Sequence, residues 1–168
     1  MALRADVVVR CVTAKPKDTL TYSGILKHAI EAAERRVLRQ AHMSCLPFFH
    51  SYGLVLVMLL SLAKGHHQIF MARFDLEHFC ALAERHKVVA AQLVPSIIIQ
   101  LAKSPIVDKY DLSALMYVGS AAAPLSCETQ AEARSRLGCC VMQAYGMSET
   151  SPASHRARIQ GTPEGSIG

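Results

Sequence analysis

The chain has 168 residues, of which 51% are apolar and 18% are charged, so it can bury the core of one compact domain or of part of a larger one. Its formal charge of +5 arises from 18 lysines and arginines that are spread along the sequence. Because this basic charge is not clustered and RNA-stacking aromatic motifs are absent, we expect no nucleic-acid partner.

The predicted secondary structure alternates between strands and helices. In the first part of the chain, strands are predicted at Val7 to Val12 and Met43 to Phe48, and helices at Ser23 to Gln40 and Tyr52 to Lys64. In the middle, the predictions are a strand at Gln68 to Met71, a helix capped by Asp75, a strand at Lys87 to Val94, and a helix at Ser96 to Lys103 that starts with Pro95. The last part predicts a strand at Ala114 to Val118, a helix capped by Ser126 that ends before Gly138, and a last strand at Cys139 to Ala144.

Apolar strands separated by amphipathic helices predict an α/β fold, with a mostly parallel sheet covered by helices on both faces. The apolar run Leu54 to Ala63 is shorter than the ~20 residues of a membrane-spanning helix, so no transmembrane segment is expected. The six cysteines are scattered without a C-x-x-C pair, which is typical of a reducing compartment.

Two loops that follow strands carry the most suggestive chemistry, because ligands of such sheets bind beyond the carboxyl ends of the strands. They are GSAAAP at residues 119–124 and YGMSET at residues 145–150. Tyr145 offers a flat face for adenine, Ser148 a donor for phosphate and Glu149 a hard oxygen for magnesium. Gly146 lets the backbone come close to a ligand. Taken alone, the same residues also fit an ordinary polar turn.

Six motifs in order resemble the adenylate-forming, or AMP-binding, superfamily of acyl- and aryl-CoA synthetases, 4-coumarate-CoA ligases and luciferases. QAYGMSET at residues 143–150 is similar to the family signature Y-G-x-[ST]-E, and LPFFHSYGL at residues 46–54 to P-x-F-H-x-x-G. The segments LVPS, KYDLS, GSAAAPLS and PEGSIG resemble the remaining conserved stretches of the large domain. The resemblance therefore implies an incomplete portion of that large N-terminal domain.

The resemblance also implies roles for individual residues. Tyr145 would contact adenine, Ser148 the α-phosphate and Glu149 magnesium, while His50 would gate the acyl and coenzyme A side. Ser148, Glu149 and His50 are thus the candidate catalytic residues. The nucleotide-binding candidates are Ser120, Ala121, Ala122, Gln143, Ala144, Tyr145, Gly146, Met147 and Ser148. Ala121 and Ala144 stand where the family often has glycine, and His50 could instead be a structural histidine of an aromatic turn.

The implied activity is that of an acid-thiol ligase, with ATP/AMP, Mg²⁺ and coenzyme A as cofactors or co-substrates. A fatty or aryl carboxylic acid is activated as an acyl-adenylate and then transferred to coenzyme A. Such a ligase is expected inside the cell, in the cytoplasm or the peroxisome.

The sequence departs from the family at its phosphate-binding loop. The nearest match retains Thr13 and Lys17, but Ala14 and Asp18 replace the flanking glycines. We therefore divide the chain into residues 1–22, a strand with a degenerate or unrelated phosphate loop, and residues 23–168, a partial AMP-binding domain without the family's C-terminal lysine domain. Three interpretations stay open: a ligase fragment, an inactive nucleotide- or acyl-binding or interaction module, and a general α/β domain with chance motifs.

Overall fold

The structure, a computed structural model, describes residues 7–10, 40–158 and 162–167. The phosphate-loop candidates Thr13 and Lys17 lie outside these residues, as does the predicted helix Ser23 to Gln40 except for its last residue. No helix in the described ranges is long and apolar enough to cross a membrane.

The described strands form one sheet in the order β1-β3-β2-β4-β5-β6-β7. The strands are β1 (Val7–Arg10), β2 (Ala41–Ser44), β3 (His67–Phe70), β4 (Val88–Leu93), β5 (Tyr117–Ser120), β6 (Cys140–Tyr145) and β7 (His155–Arg156). Pairing is parallel from β3 through β6 and antiparallel at the two edges, where β1 meets β3 and β7 meets β6. The predicted α/β class with a mostly parallel sheet is confirmed.

Helices connect the parallel strands. A π-helical segment, Tyr52–Leu59, continues into α1 (Leu60–Lys64), and α2 (Leu76–His86), α3 (Pro95–Lys103) and α4 (Cys127–Leu137) follow. The predicted caps are confirmed: the Asp75 side chain accepts a hydrogen bond from the backbone N–H of His78 at 3.0 Å, and Ser126 accepts one from that of Thr129 at 3.2 Å. Helix α4 ends at Gly138, whose φ of 63° suits glycine.

Two predicted strands were misplaced by several residues, and one strand was not predicted. Strand β2 ends at Ser44 because its hydroxyl accepts the backbone N–H of Leu46 at 3.2 Å and turns the chain away, well before the predicted end at Phe48. Strand β5 begins at Tyr117 because a turn closes between Leu112 and Leu115. Cys139 to Ala144 is also not the last strand, since the two-residue β7 follows it.

The direction of the connections places helices on both faces of the sheet. The connection from β2 to β3 moves toward the β1 edge of the sheet. The next three connections, from β3 to β4, from β4 to β5 and from β5 to β6, move toward the β7 edge. Because such crossovers are right-handed, the helix from Tyr52 to Lys64 covers one face and α2, α3 and α4 cover the other. Helix α3 contacts both α2 and α4, as expected for one layer.

The two faces of the sheet differ in polarity. The face under α2, α3 and α4 is apolar, and its strand residues Met43, Ile69, Ala91, Val118 and Val141 are buried in the main core. Side chains alternate along a strand, so their neighbours point to the opposite face. That second face carries polar groups in successive strands: Gln68, His42, Ser44, Gln92 and Tyr117.

A histidine pair on this polar face predicts acid sensitivity. The rings of His42 and His66 lie 4.1 Å apart, and burial, with a smaller effect from His66, lowers the pKa of His42 from 6.5 to about 4. A lowered folded-state pKa means that the unfolded chain binds more protons between these values, so the free energy of unfolding falls as pH falls from 6.5 toward 4. After allowance for partial solvent access, we expect about 1 kcal/mol between pH 7 and 5.

Urea unfolding at both pH values tests this expectation. The variant His42→Gln should lose that part of the pH dependence, while His155→Asn, at an exposed histidine, should retain it. An unchanged pH dependence in His42→Gln would refute the assignment.

Candidate functional site

The candidate site lies at the carboxyl ends of β2, β4, β5 and β6. Strand β2 continues toward one edge of the sheet and its neighbour β4 toward the other, so the loops that follow them diverge. Such a switch point opens a crevice where α/β sheets bind ligands. The two predicted loops, residues 119–124 and 145–150, follow the adjacent strands β5 and β6, in which Ser120 pairs with Gln143.

The loop after β2 carries His50. Its side chain is exposed, and Nδ1 accepts a hydrogen bond from the backbone N–H of Tyr52 at 3.1 Å, which fixes the ring at the start of the helix. With Nδ1 acting as acceptor, a neutral ring carries its proton on Nε2, which is then a donor.

The loops after β2 and β6 meet at two hydroxyl groups. Ser51 Oγ and Ser148 Oγ lie 3.4 Å apart, although the two residues are 97 positions apart in the chain. Sequence reasoning missed Ser51, even though it directly follows His50 within a motif that had been identified. The contact brings the histidine loop and the YGMSET loop to one place.

Residues of the YGMSET loop face solvent at the end of β6. Tyr145 is 49% exposed and its ring centroid lies 6.3 Å from that of His155, while Met147, Ser148 and Glu149 are also exposed. Gly146 is exposed but lies close to the Pro152–Ala153 backbone, so a methyl group there would collide with the carbonyl oxygen of Pro152. The tyrosine face, the hydroxyl and the carboxylate are therefore available to a ligand on a tightly folded loop.

Gln143 differs from the other nucleotide-binding candidates because its side chain is buried in hydrogen bonds. Its Oε1 accepts the backbone N–H of Leu125 at 3.0 Å, and its Nε2 donates to the Leu125 carbonyl and to Gln130 Oε1, both at 3.0 Å. Gln130 in turn donates to the Val141 carbonyl at 2.8 Å and accepts the N–H of Gly165 at 2.9 Å. These two glutamines therefore link β6 to α4, to the turn at Leu125 and to the turn at Gly165.

The turn after β5 combines a buried hydroxyl with an unusual backbone conformation. Ser120 is 1% exposed, and its Oγ has no hydrogen-bond partner among the described residues. Ala121 is buried, and exposed Ala122 has a φ of 78°, in the left-handed region that favours glycine. Ala144, half-buried, pairs with Arg156 of β7. The turn thus holds a strained backbone beside the crevice.

Relief of this strain gives a second prediction. Ala122→Gly should raise the free energy of unfolding by about 0.5–1 kcal/mol, because a left-handed alanine costs roughly 1–2 kcal/mol, part of which is offset by the flexibility of glycine in the unfolded chain. Urea unfolding should show a higher midpoint with an unchanged slope. Ala123→Gly is the matched control, since the neighbouring Ala123 has no positive φ, and it should not stabilise the chain.

The carboxylate of Glu149 fits a magnesium ion held jointly with phosphates. No group of three metal-ligating side chains exists in the described part of the chain. Magnesium, however, is commonly held by one or two carboxylates together with substrate phosphates and water. One exposed carboxylate beside the Ser148 hydroxyl meets that requirement.

Two more residues of the crevice were missed by the sequence analysis. Tyr52 is buried at the start of the helix, and its hydroxyl donates to Gln92 Oε1 at 2.9 Å. The available signal was Gln92 itself, a single polar residue within the apolar strand Val88–Leu93.

Comparison with known proteins shows the family to which the chain is similar. A family model described as AMP-binding enzyme matches residues 13–168. A probable 4-coumarate-CoA ligase 1 of Dictyostelium discoideum is 42% identical over 113 residues, which are 66% of this chain and 20% of that protein. The 4-coumarate-CoA ligase 3 of Arabidopsis thaliana is 44% identical over 108 residues, covering 64% of this chain and 19% of that protein.

Solved structures give the same similarity. A red-emitting luciferase of Phrixothrix hirtus superposes with a TM-score of 0.64 at 29% identity, over 70% of this chain and 22% of the luciferase. O-succinylbenzoate coenzyme A synthetase of Bacillus subtilis, in complex with AMP, shares the fold with a TM-score of 0.63 at 20% identity, over 79% of this chain and 28% of the synthetase. The chain spans 20% of the length of the Dictyostelium relative.

Proposed function

Because the chain belongs to the family of AMP-binding enzymes, whose model matches residues 13–168, we propose that it forms the AMP-binding part of an ATP-dependent acyl- or aryl-CoA ligase. In the proposed reaction, a carboxylate oxygen of a fatty or aryl acid attacks the α-phosphorus of ATP. The bond to pyrophosphate breaks and an acyl-adenylate forms. The thiol of coenzyme A then takes the acyl group and releases AMP.

The proposal gives each loop of the crevice a task. Tyr145 packs against adenine, Ser148 donates to the α-phosphate and the Glu149 carboxylate holds magnesium. The backbone of Ser120, Ala121 and Ala122 borders the nucleotide, and His50 faces the acyl and coenzyme A side. The division into residues 1–22 and residues 23–168 is part of the same proposal.

The observation that carries the proposal is the contact between Ser51 and Ser148, whose hydroxyl oxygens are 3.4 Å apart. This contact places the histidine loop, on the proposed acid side, next to the loop proposed for the α-phosphate. An acid and a nucleotide bound on either side would have their reacting groups close together, and such proximity lowers the barrier of a two-substrate reaction.

Titration of the chain with AMP by calorimetry tests the nucleotide site. Tyr145→Ala should weaken AMP binding about tenfold, because aromatic stacking on a base is worth roughly 1–3 kcal/mol. Met116→Ala is the matched control: Met116 is 63% exposed and precedes β5 at the opposite end of that strand, so its removal should leave AMP affinity unchanged. Equal losses in both variants, or none in either, would contradict the proposal.

A second candidate function is binding without turnover. It is favoured by the sequence of the phosphate-loop candidate, in which Ala14 and Asp18 replace the motif's glycines, since the aspartate adds negative charge to a motif that binds anions. An ATP-pyrophosphate exchange assay with a panel of fatty and aryl acids separates the two candidates. Exchange supports the ligase, whereas AMP binding without exchange supports the binding module.

A further inference from the structure

A row of three aligned residues crosses the polar face of the sheet beside the crevice. In register, Ser44 of β2 pairs with Gln92 of β4, and Gln92 pairs with Gly119 of β5. Paired residues of neighbouring strands point to the same face. Gln92 therefore stands between a small hydroxyl and a residue without a side chain, at the ends of the strands that form the proposed site.

The position of Gln92 is fixed from two sides. The Ser44 hydroxyl donates to the Gln92 carbonyl oxygen at 3.1 Å, which holds the backbone, and the Tyr52 hydroxyl donates to Oε1 at 2.9 Å, which orients the side-chain amide. Burial, and to a smaller degree Tyr117, raises the pKa of Tyr52, so its hydroxyl stays protonated and remains a donor at physiological pH.

Gly119 provides the space for this arrangement. A methyl group on Gly119 would collide with Gln92 Oε1 and would lie 3.2 Å from Nε2. The side-chain amide of Gln92 thus extends over the backbone of β5, the strand whose following turn borders the nucleotide in the proposed function.

The Nε2 group of Gln92 has no hydrogen-bond acceptor among the described residues. The only fully buried polar side-chain atom without a partner among the described residues is Ser120 Oγ, so the equally unpartnered Nε2 is reached by solvent. An amide nitrogen donates hydrogen bonds and cannot accept them. Because the Tyr52 hydroxyl is bonded to Oε1, the Nε2 group is the part of this amide that remains to donate to a ligand.

We infer that Gln92 is a specificity-determining residue of the acid-binding side, whose Nε2 donates to an acceptor oxygen on the body of the carboxylic acid. The inference rests on the proposed function. The favoured acid carries an ether, carbonyl or hydroxyl oxygen away from its carboxylate. An ether oxygen is sufficient, because it accepts a hydrogen bond from Nε2 and has no proton that would need an acceptor on the protein. An acid with a methylene at that place leaves the amide desolvated and unpaired, which disfavours it.

Binding of a matched pair of acids tests the inference. We would titrate the chain with 4-methoxycinnamate and with 4-ethylcinnamate, which differ by an oxygen in place of a methylene. We compare the affinity for the methoxy acid with the affinity for the ethyl acid. This ratio should be about five- to tenfold higher in the wild-type chain than in Gln92→Leu, which lacks the donor. Gln100→Leu, at an exposed glutamine of α3, is the matched control and should keep the wild-type ratio.

A second variant acts on Gln92 without changing it. Gly119→Ala displaces the flexible end of the Gln92 side chain and should reduce the methoxy preference in the same direction. The inference is overturned if the affinity ratio is the same in wild type and Gln92→Leu, or if the wild-type chain binds neither acid. AMP titration of the wild-type chain and of Gln100→Leu reports on the proposed function separately, because this measurement does not involve the acid.

Discussion

Replacing Gly146 with alanine is expected to lower the free energy of unfolding by about 2–4 kcal/mol and to weaken AMP binding by at least about tenfold. The added methyl group would collide with the carbonyl oxygen of Pro152 and lie 2.8 Å from the Cα of Ala153. Both contacts are to backbone, so the loop itself must move. Because Tyr145 directly precedes this position and Ser148 follows it by two residues, the groups proposed to hold adenine and phosphate move with it.

Urea unfolding and AMP calorimetry measure the two effects. Gly138→Ala is the control: a methyl group there meets nothing within 4 Å, although its φ of 63° is unfavourable for alanine. That variant should lose about 1 kcal/mol of stability and keep its AMP affinity. A Gly146→Ala protein with wild-type stability and AMP binding would show that the tight loop is not needed.

The second large effect is expected for Gln143→Leu. The change removes three hydrogen bonds of 3.0 Å and leaves the Leu125 backbone groups and Gln130 without these partners in a buried place. Because an unsatisfied buried polar group costs about 1–3 kcal/mol, we expect a loss of roughly 3 kcal/mol in the free energy of unfolding.

The same variant also tests the predicted nucleotide role of Gln143. Under conditions where the variant remains folded, its AMP affinity should change less than about twofold, since the side chain serves the Gln143–Gln130 pair. The exposed Gln100→Leu should change neither property. A large loss of AMP affinity without a loss of stability would instead place the Gln143 side chain in contact with the nucleotide.

Much of the fold could be predicted because local signals agreed with tertiary packing. Asp75 and Ser126 cap helices as predicted, since a cap depends on a few neighbouring residues. The boundaries of β2 and β5 were less predictable, because Ser44 and the turn before Tyr117 act through hydrogen bonds that the apolar pattern does not reveal. The short β7 lies in polar sequence and gives no periodic signal.

The position of the candidate site in the fold could be predicted from motifs within single loops, whereas contacts between distant residues could not. Tyr145, Ser148 and Glu149 are neighbours in one loop, and the structure leaves all three exposed at the predicted edge of the sheet. The contact between Tyr52 and Gln92 joins residues 40 positions apart, and only the pairing of β2 with β4 brings them together. Which strands pair, and in which register, cannot be deduced from the pattern of a single sequence.

The proposed nucleotide site is tested most directly by following the backbone amide signals of the chain by NMR during titration with AMP and magnesium. We expect the largest shifts on both residues 120–122 and residues 145–149, with saturation at one common affinity. A folded chain whose signals do not move, or whose shifts fall on the helices α2 and α3 instead, would contradict a nucleotide site at the ends of β5 and β6.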